Sequence, residues 1–145
     1  MNKLSLAALF LVALALIACG PLANGADSNR EPVTDYAGLL EALGTGGATV
    51  EPSGSVSQPF LSVEGQGLTL GGEQIQVFEY ADESAAAADA QLVSPDGSSV
   101  GTTMITWVAP PHFYRSGRLI VLYLGNNADT LRLLESLLGP QFAGA

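Results

Sequence analysis

The sequence predicts an α+β domain: a mainly antiparallel sheet of about four to five strands with three helices packed on it, in two layers. Three observations carry that expectation. Apolar residues recur at helical spacing in three separate places. Glycines and turn residues divide the segments between them into hairpin-like arms. Residues 119–124, Leu-Ile-Val-Leu-Tyr-Leu, are apolar on both faces, as a central strand is.

The first helix has Thr34 or Asp35 as its N-cap. Tyr36, Leu39, Leu40 and Leu43 then form one stripe, and Gly44, Gly46 and Gly47 end it. A β-rich stretch follows. Residues 49–56 read as a strand broken near Pro52, and 59–63 as another. Leu68-Thr69-Leu70, Gly71-Gly72 and residues 73–80 read as a hairpin, because two glycines suit a tight turn that needs positive φ. Its second arm puts Ile75 and Val77 on one face and Gln74, Gln76, Phe78 and Tyr80 on the other.

Residues 81–93 read as an alanine-rich helix with Asp82 and Glu83 in its first turn, where negative charge complements the helix dipole. Ser94-Pro95-Asp96-Gly97 stops it. Residues 102–109 read as a strand, 110–117 as a stiff connector and 118–124 as the central strand. Asn127 caps the last helix, Leu131, Leu134 and Leu138 form its stripe, and Gly139-Pro140 ends it. Hairpin-then-helix thus occurs twice, as topology without matching residues.

The 48% hydrophobic content is concentrated at the front, where 15 of the first 18 residues are apolar. Lys3 is a short positive region and residues 4–17 an apolar core too short for a membrane span of about 20 residues. That run closes on Leu16-Ile17-Ala18-Cys19. This stretch resembles the lipobox of bacterial lipoproteins. The resemblance implies cleavage before Cys19 and a diacylglyceryl group on its thiol, with Ala18 as the small residue the peptidase needs. Cys19 is the one cysteine in the chain. Gly20 and Pro21 supply no aspartate-type signal for inner-membrane retention. Two acyl chains give stable anchoring. The organisation expected is therefore a signal peptide at 1–18, a flexible tether at 19–33 and a single domain at 34–143.

A second resemblance covers roughly residues 35–143. Val77-Phe78-Glu79-Tyr80, Ser94-Pro95-Asp96-Gly97, Trp107, Pro111-His112-Phe113-Tyr114, residues 119–125 and Leu138-Gly139-Pro140-Gln141-Phe142 together look like a group of small bacterial lipoproteins of unassigned function. It implies a lipid-anchored domain outside the cytoplasm, at the cell surface or in the periplasm. It transfers no catalytic residue.

Charge narrows the partners. The chain carries −9, and −10 once Lys3 leaves with the signal, since its remaining cations are Arg30, Arg115, Arg118 and Arg132. Nucleic acid is excluded as a partner, because phosphate binding needs clustered bases. Membrane association is left to the lipid. One cysteine cannot form an internal disulfide or a multi-cysteine metal site. The acidic residues show no calcium-loop spacing, and no glycine-rich phosphate loop precedes a helix, so neither metal nor cofactor is expected.

His112 is the only histidine, so a histidine-based catalytic site would have to include it. Tyr114 and Ser116 stand nearby in sequence, but there is no G-x-S-x-G elbow. Two readings of the connector stay open: a binding site, in which Trp107, His112, Phe113, Tyr114 and Arg115 join aromatic surface to a donor and a positive charge, and a structural one, in which Trp107 and Phe113 are core residues and Tyr114 closes a sheet edge. Arg115 and Arg118 bracket the hairpin bend as the one close positive pair, either to receive an anion or a partner's carboxylate or as solubilising charges flanking the turn. The function expected is a binding or interaction module of unknown partner, not an enzyme. The alternatives are a small envelope hydrolase using His112 or a carboxylate pair, and a structural envelope protein.

Overall fold

The computed structural model describes residues 31–145. The expected signal peptide, Cys19 and residues 19–30 of the expected tether lie outside the described residues. The fold is α+β. Its elements are α1 (Tyr36–Thr45), β1 (Val50–Val56), β2 (Gly65–Leu70), β3 (Glu73–Glu79), α2 (Glu83–Ala90), β4 (Ser99–Val100), β5 (Thr103–Met104), β6 (Pro111–Ser116), β7 (Leu119–Leu124), α3 (Ala128–Leu138) and β8 (Ala143–Gly144). Six strands form one antiparallel sheet in the order β1-β2-β3-β7-β6-β8, and β4 and β5 form a small ribbon apart from it.

Each helix begins where a short acceptor side chain meets free N–H groups. Asp35 accepts from Gly38 N at 2.8 Å and Asp82 from Ala85 N at 2.9 Å. Asn127 accepts from Asp129 N and Thr130 N at 3.0 and 3.2 Å. Such caps contribute about 1 kcal/mol each. The β2–β3 hairpin turns on Gly71 and Gly72, whose φ angles of 58° and 90° disfavour a side chain.

β7 sits at the centre because alternate residues feed two cores. Leu119, Val121 and Tyr123 join Leu39, Leu43, Ile75, Val77 and Leu134 on the face covered by α1 and α3. Ile120 and Leu122 join Phe78, Ala86, Ala90 and Phe113 on the face covered by α2. The helices therefore lie on both faces and the domain has three layers, not the two expected. A strand buried on both sides requires a cover on both.

The sheet also has more strands than the four to five expected. The largest correction is β6: residues 110–117, expected as a connector, hold a strand paired along its whole length with β7. Pro111 is tolerated because it opens the strand. Conversely, 102–109 contributes only β5, and 59–63 is turn and bend. α2 stops at Ala90, and Val93 leaves the helix to bridge Val100. Val33, expected as the last tether residue, is buried in the α1–α3 core, and its carbonyl accepts from Ser116 Oγ at 2.5 Å.

Candidate functional site

Four of the five residues weighed as a binding site lie on β6, beside the central strand. Phe113 is 0% exposed, Tyr114 2% and His112 5%. Phe113 points into the α2 core and Tyr114 into the α1–α3 core. They offer no contact surface, so of the two readings open for these aromatics the structural one describes Phe113, and Tyr114 is a core residue too rather than the close of a sheet edge. Trp107 precedes the strand and is half-buried. Its ring packs edge-on against Phe60 and Phe113, with centroids 5.7 and 5.8 Å away, and its Nε1 donates to Gly97 O at 2.7 Å. Arg115 is exposed but faces Glu83 at 3.7 Å, while Arg118 faces Glu79 at 3.0 Å. The arginine pair thus meets carboxylates of its own chain rather than an open anion site; at this exposure each pair is worth about 0–1 kcal/mol.

His112 is held on three sides. Its Nδ1 lies 2.7 Å from Gln141 Oε1, its Nε2 lies 3.0 Å from Gly125 O, and its ring stacks on Tyr123. Gln141 Nε2 donates to Ala145 O at 2.7 Å, which turns its oxygen toward the imidazole. A general base needs a nitrogen directed at a reacting proton. Here both nitrogens face carbonyl oxygens, and the ring fastens the β8 segment to β6 and β7. Neither Ser116 nor a carboxylate hydrogen-bonds to it. Among the described residues, no group of three His, Cys, Asp or Glu side chains gathers as metal ligands would.

The tyrosines that could act as acids are similarly committed. Tyr80 donates to Asp89 at 2.8 Å, and burial, then that bond, then the Asp89 charge hold its phenol far above the usual range. Asp89 also accepts from Ser62 N and Oγ, tying the loop before β2 to α2. Burial likewise raises Tyr114, assisted by the Glu135 charge. Burial raises Tyr123 too; the bond from Asn127 N works against that, and the Glu73 carboxylate with it.

Sequence reading missed a cleft of about 250 Å³ lined by Ala48, Thr49, Leu70, Gly71, Asn127 and Thr130, among others. It opens where the α1–β1 loop, the β2–β3 turn and the start of α3 converge. Beside it, Tyr123 Oη donates to Glu73 at 2.8 Å and accepts from Asn127 N at 3.0 Å. Its volume lies just under the roughly 300 Å³ lower end of ligand pockets. Nothing in the sequence places Thr49 opposite Asn127; only the sheet register does.

The other surface feature is apolar. Among the described residues, the large apolar side chains that stand exposed are Leu92 (50%), Met104 (84%) and Val108 (93%). Met104 lies on β5 itself, and Leu92 and Val108 stand before and after the β4–β5 ribbon in the chain. No described helix is long and apolar enough to cross a membrane. Compared with protein-family models, with curated proteins and with solved structures, the chain matches none.

Proposed function

We propose that this chain is a lipoprotein, anchored outside the cytoplasm through lipid on Cys19, whose folded domain is a binding or interaction module rather than an enzyme. The observation that carries the reading is the apolar run of residues 4–17 closing on Leu16-Ile17-Ala18-Cys19, with the chain's one thiol at the position the lipobox chemistry uses. The geometry of His112 adds support for a non-catalytic role, since both ring nitrogens are engaged within the fold. Of the residues weighed as a site, Trp107 and Arg115 retain solvent contact, Trp107 on the segment before β6 and Arg115 on β6 itself, and the reading places a binding surface by Trp107.

Fractionation of expressing cells tests the reading. The wild-type chain is expected in the membrane fraction, released by detergent and not by high salt. Cys19→Ser blocks thiol acylation and is expected to leave the chain uncleaved, so the two forms differ in mobility. A wild-type chain that leaves the membrane in salt alone would contradict the anchor. Crosslinking in intact cells then identifies the partner.

A further inference from the structure

Residues 104–108 alternate strictly: Met104, Thr106 and Val108 are exposed, while Ile105 and Trp107 are partly buried against the α2 core. The segment leaves β5 at Met104 and bends at Val108 and Ala109, and the exposure itself puts these three side chains on its outward side, as one row. Leu92 stands close by, because its carbonyl accepts from Gly101 N at the ribbon's turn. Between Asp96 and His112 run 15 residues without an acidic or basic side chain, the longest such stretch in the folded domain of a chain carrying 14 acids. We propose that this row, with Leu92 beside it and Trp107 behind it, is a contact that seats in the interfacial layer of a lipid bilayer.

Three points favour lipid over a protein partner. A stable protein interface takes about 20–30 residues a side; the exposed apolar row supplies three large side chains. An uncharged segment beside a tryptophan suits the headgroup boundary of uncharged or zwitterionic lipid, with Asp96, exposed at the turn before Ser98, as the carboxylate that has to stay on the water side. The tether geometry permits it. Val33 and Thr34 are fastened to the Ser116–Arg118 end of β6, whereas Trp107 is tied to Gly97, which packs against Pro111 at the other end. The strand between measures about 17 Å. The chain from Cys19 to Val33 reaches about 45 Å when extended. An anchor on Cys19 would therefore leave the row within reach of the bilayer. The inference rests on the anchored reading for that local concentration, and not for the contact itself.

The test uses the full-length gene product, recovered from membranes in its mature form and added to phosphatidylcholine vesicles carrying brominated acyl chains. Trp107, the chain's one tryptophan, is the probe. Its emission is expected to be quenched by the bromolipid, and Met104→Ser/Val108→Ser to lose most of that quenching while unfolding at the wild-type temperature. Because Trp107 is half-buried, a Trp107→Phe/Val108→Trp chain moves the indole onto the row itself. If that indole stays open to aqueous acrylamide and blind to the bromolipid, the proposal is overturned and the row is left to a protein partner. Intact mass reads the anchor separately. Should the recovered chain carry no lipid, the same quenching is read with vesicles in large excess, so the row and the anchor can fail independently.

Discussion

Phe113 and Tyr114 are adjacent on β6, yet each closes a different core. Phe113→Ala is therefore expected to cost about 3–5 kcal/mol, as deletion of a fully buried ring does. Met104→Ser/Val108→Ser, at exposed positions, is expected to stay within about 0.5 kcal/mol. Urea denaturation of the two variants measures both. A Phe113→Ala chain as stable as wild type would mean that the ring is not a core anchor. A second expectation concerns acid. Ser94 Oγ, Ser98 N and Ser98 Oγ bond to the Asp96 carboxylate and hold it down at about 2. Asp82 is lowered too, first by its bond from Ala85 N. A carboxyl whose folded value lies below its unfolded one, about 3.9, contributes stability above that value and loses it as pH falls through the folded one. The melting temperature is expected to fall between about pH 4 and pH 2, and Asp96→Asn to flatten part of that fall. Because Asp96 is solvent-exposed, the effect is small against global acid unfolding.

Elements differ in how openly the chain declares them. β7 was legible because a run apolar on both faces fits only a central strand, and α3 because Asn127, its leucine stripe and Gly139-Pro140 agree. β6 was hidden: Pro110-Pro111 and Arg115-Ser116-Gly117 carry turn chemistry at both ends, and the three residues between are too few for a period to show. Pairing with β7 overrode those signals. The same pairing decides between the two readings of the aromatics, since burial of His112, Phe113 and Tyr114 follows from it. The end of α2 was hidden for a related reason, because Val93 suits a helix stripe and a bridge to Val100 equally well. The turn joining β6 to β7 is also where the domain secures its N-terminal end. Gly117 has φ 53°, and a Cβ there would stand 2.5 Å from Thr34 Cα. Gly117→Ala is expected to cost about 1–3 kcal/mol. It should also abolish amide-exchange protection at Arg118, whose N–H donates to Thr34 O. Protection unchanged at Arg118 would mean the contact with Thr34 does not depend on this close approach.

At the scale of the whole molecule, a three-layer domain stands behind a segment of different character. The chain's one lysine lies in the apolar front, and loss of that front leaves 14 acids against four arginines. Such a charge disfavours anionic surfaces, so in the proposed reading durable membrane residence comes from the covalent lipid. The central claim is that Cys19 provides it, and intact-mass analysis of the protein extracted from membranes tests that claim most directly. The account predicts a mature chain beginning at Cys19 and heavier than its residues by the mass of attached lipid. A mature N-terminus elsewhere, or an unmodified Cys19, would contradict it.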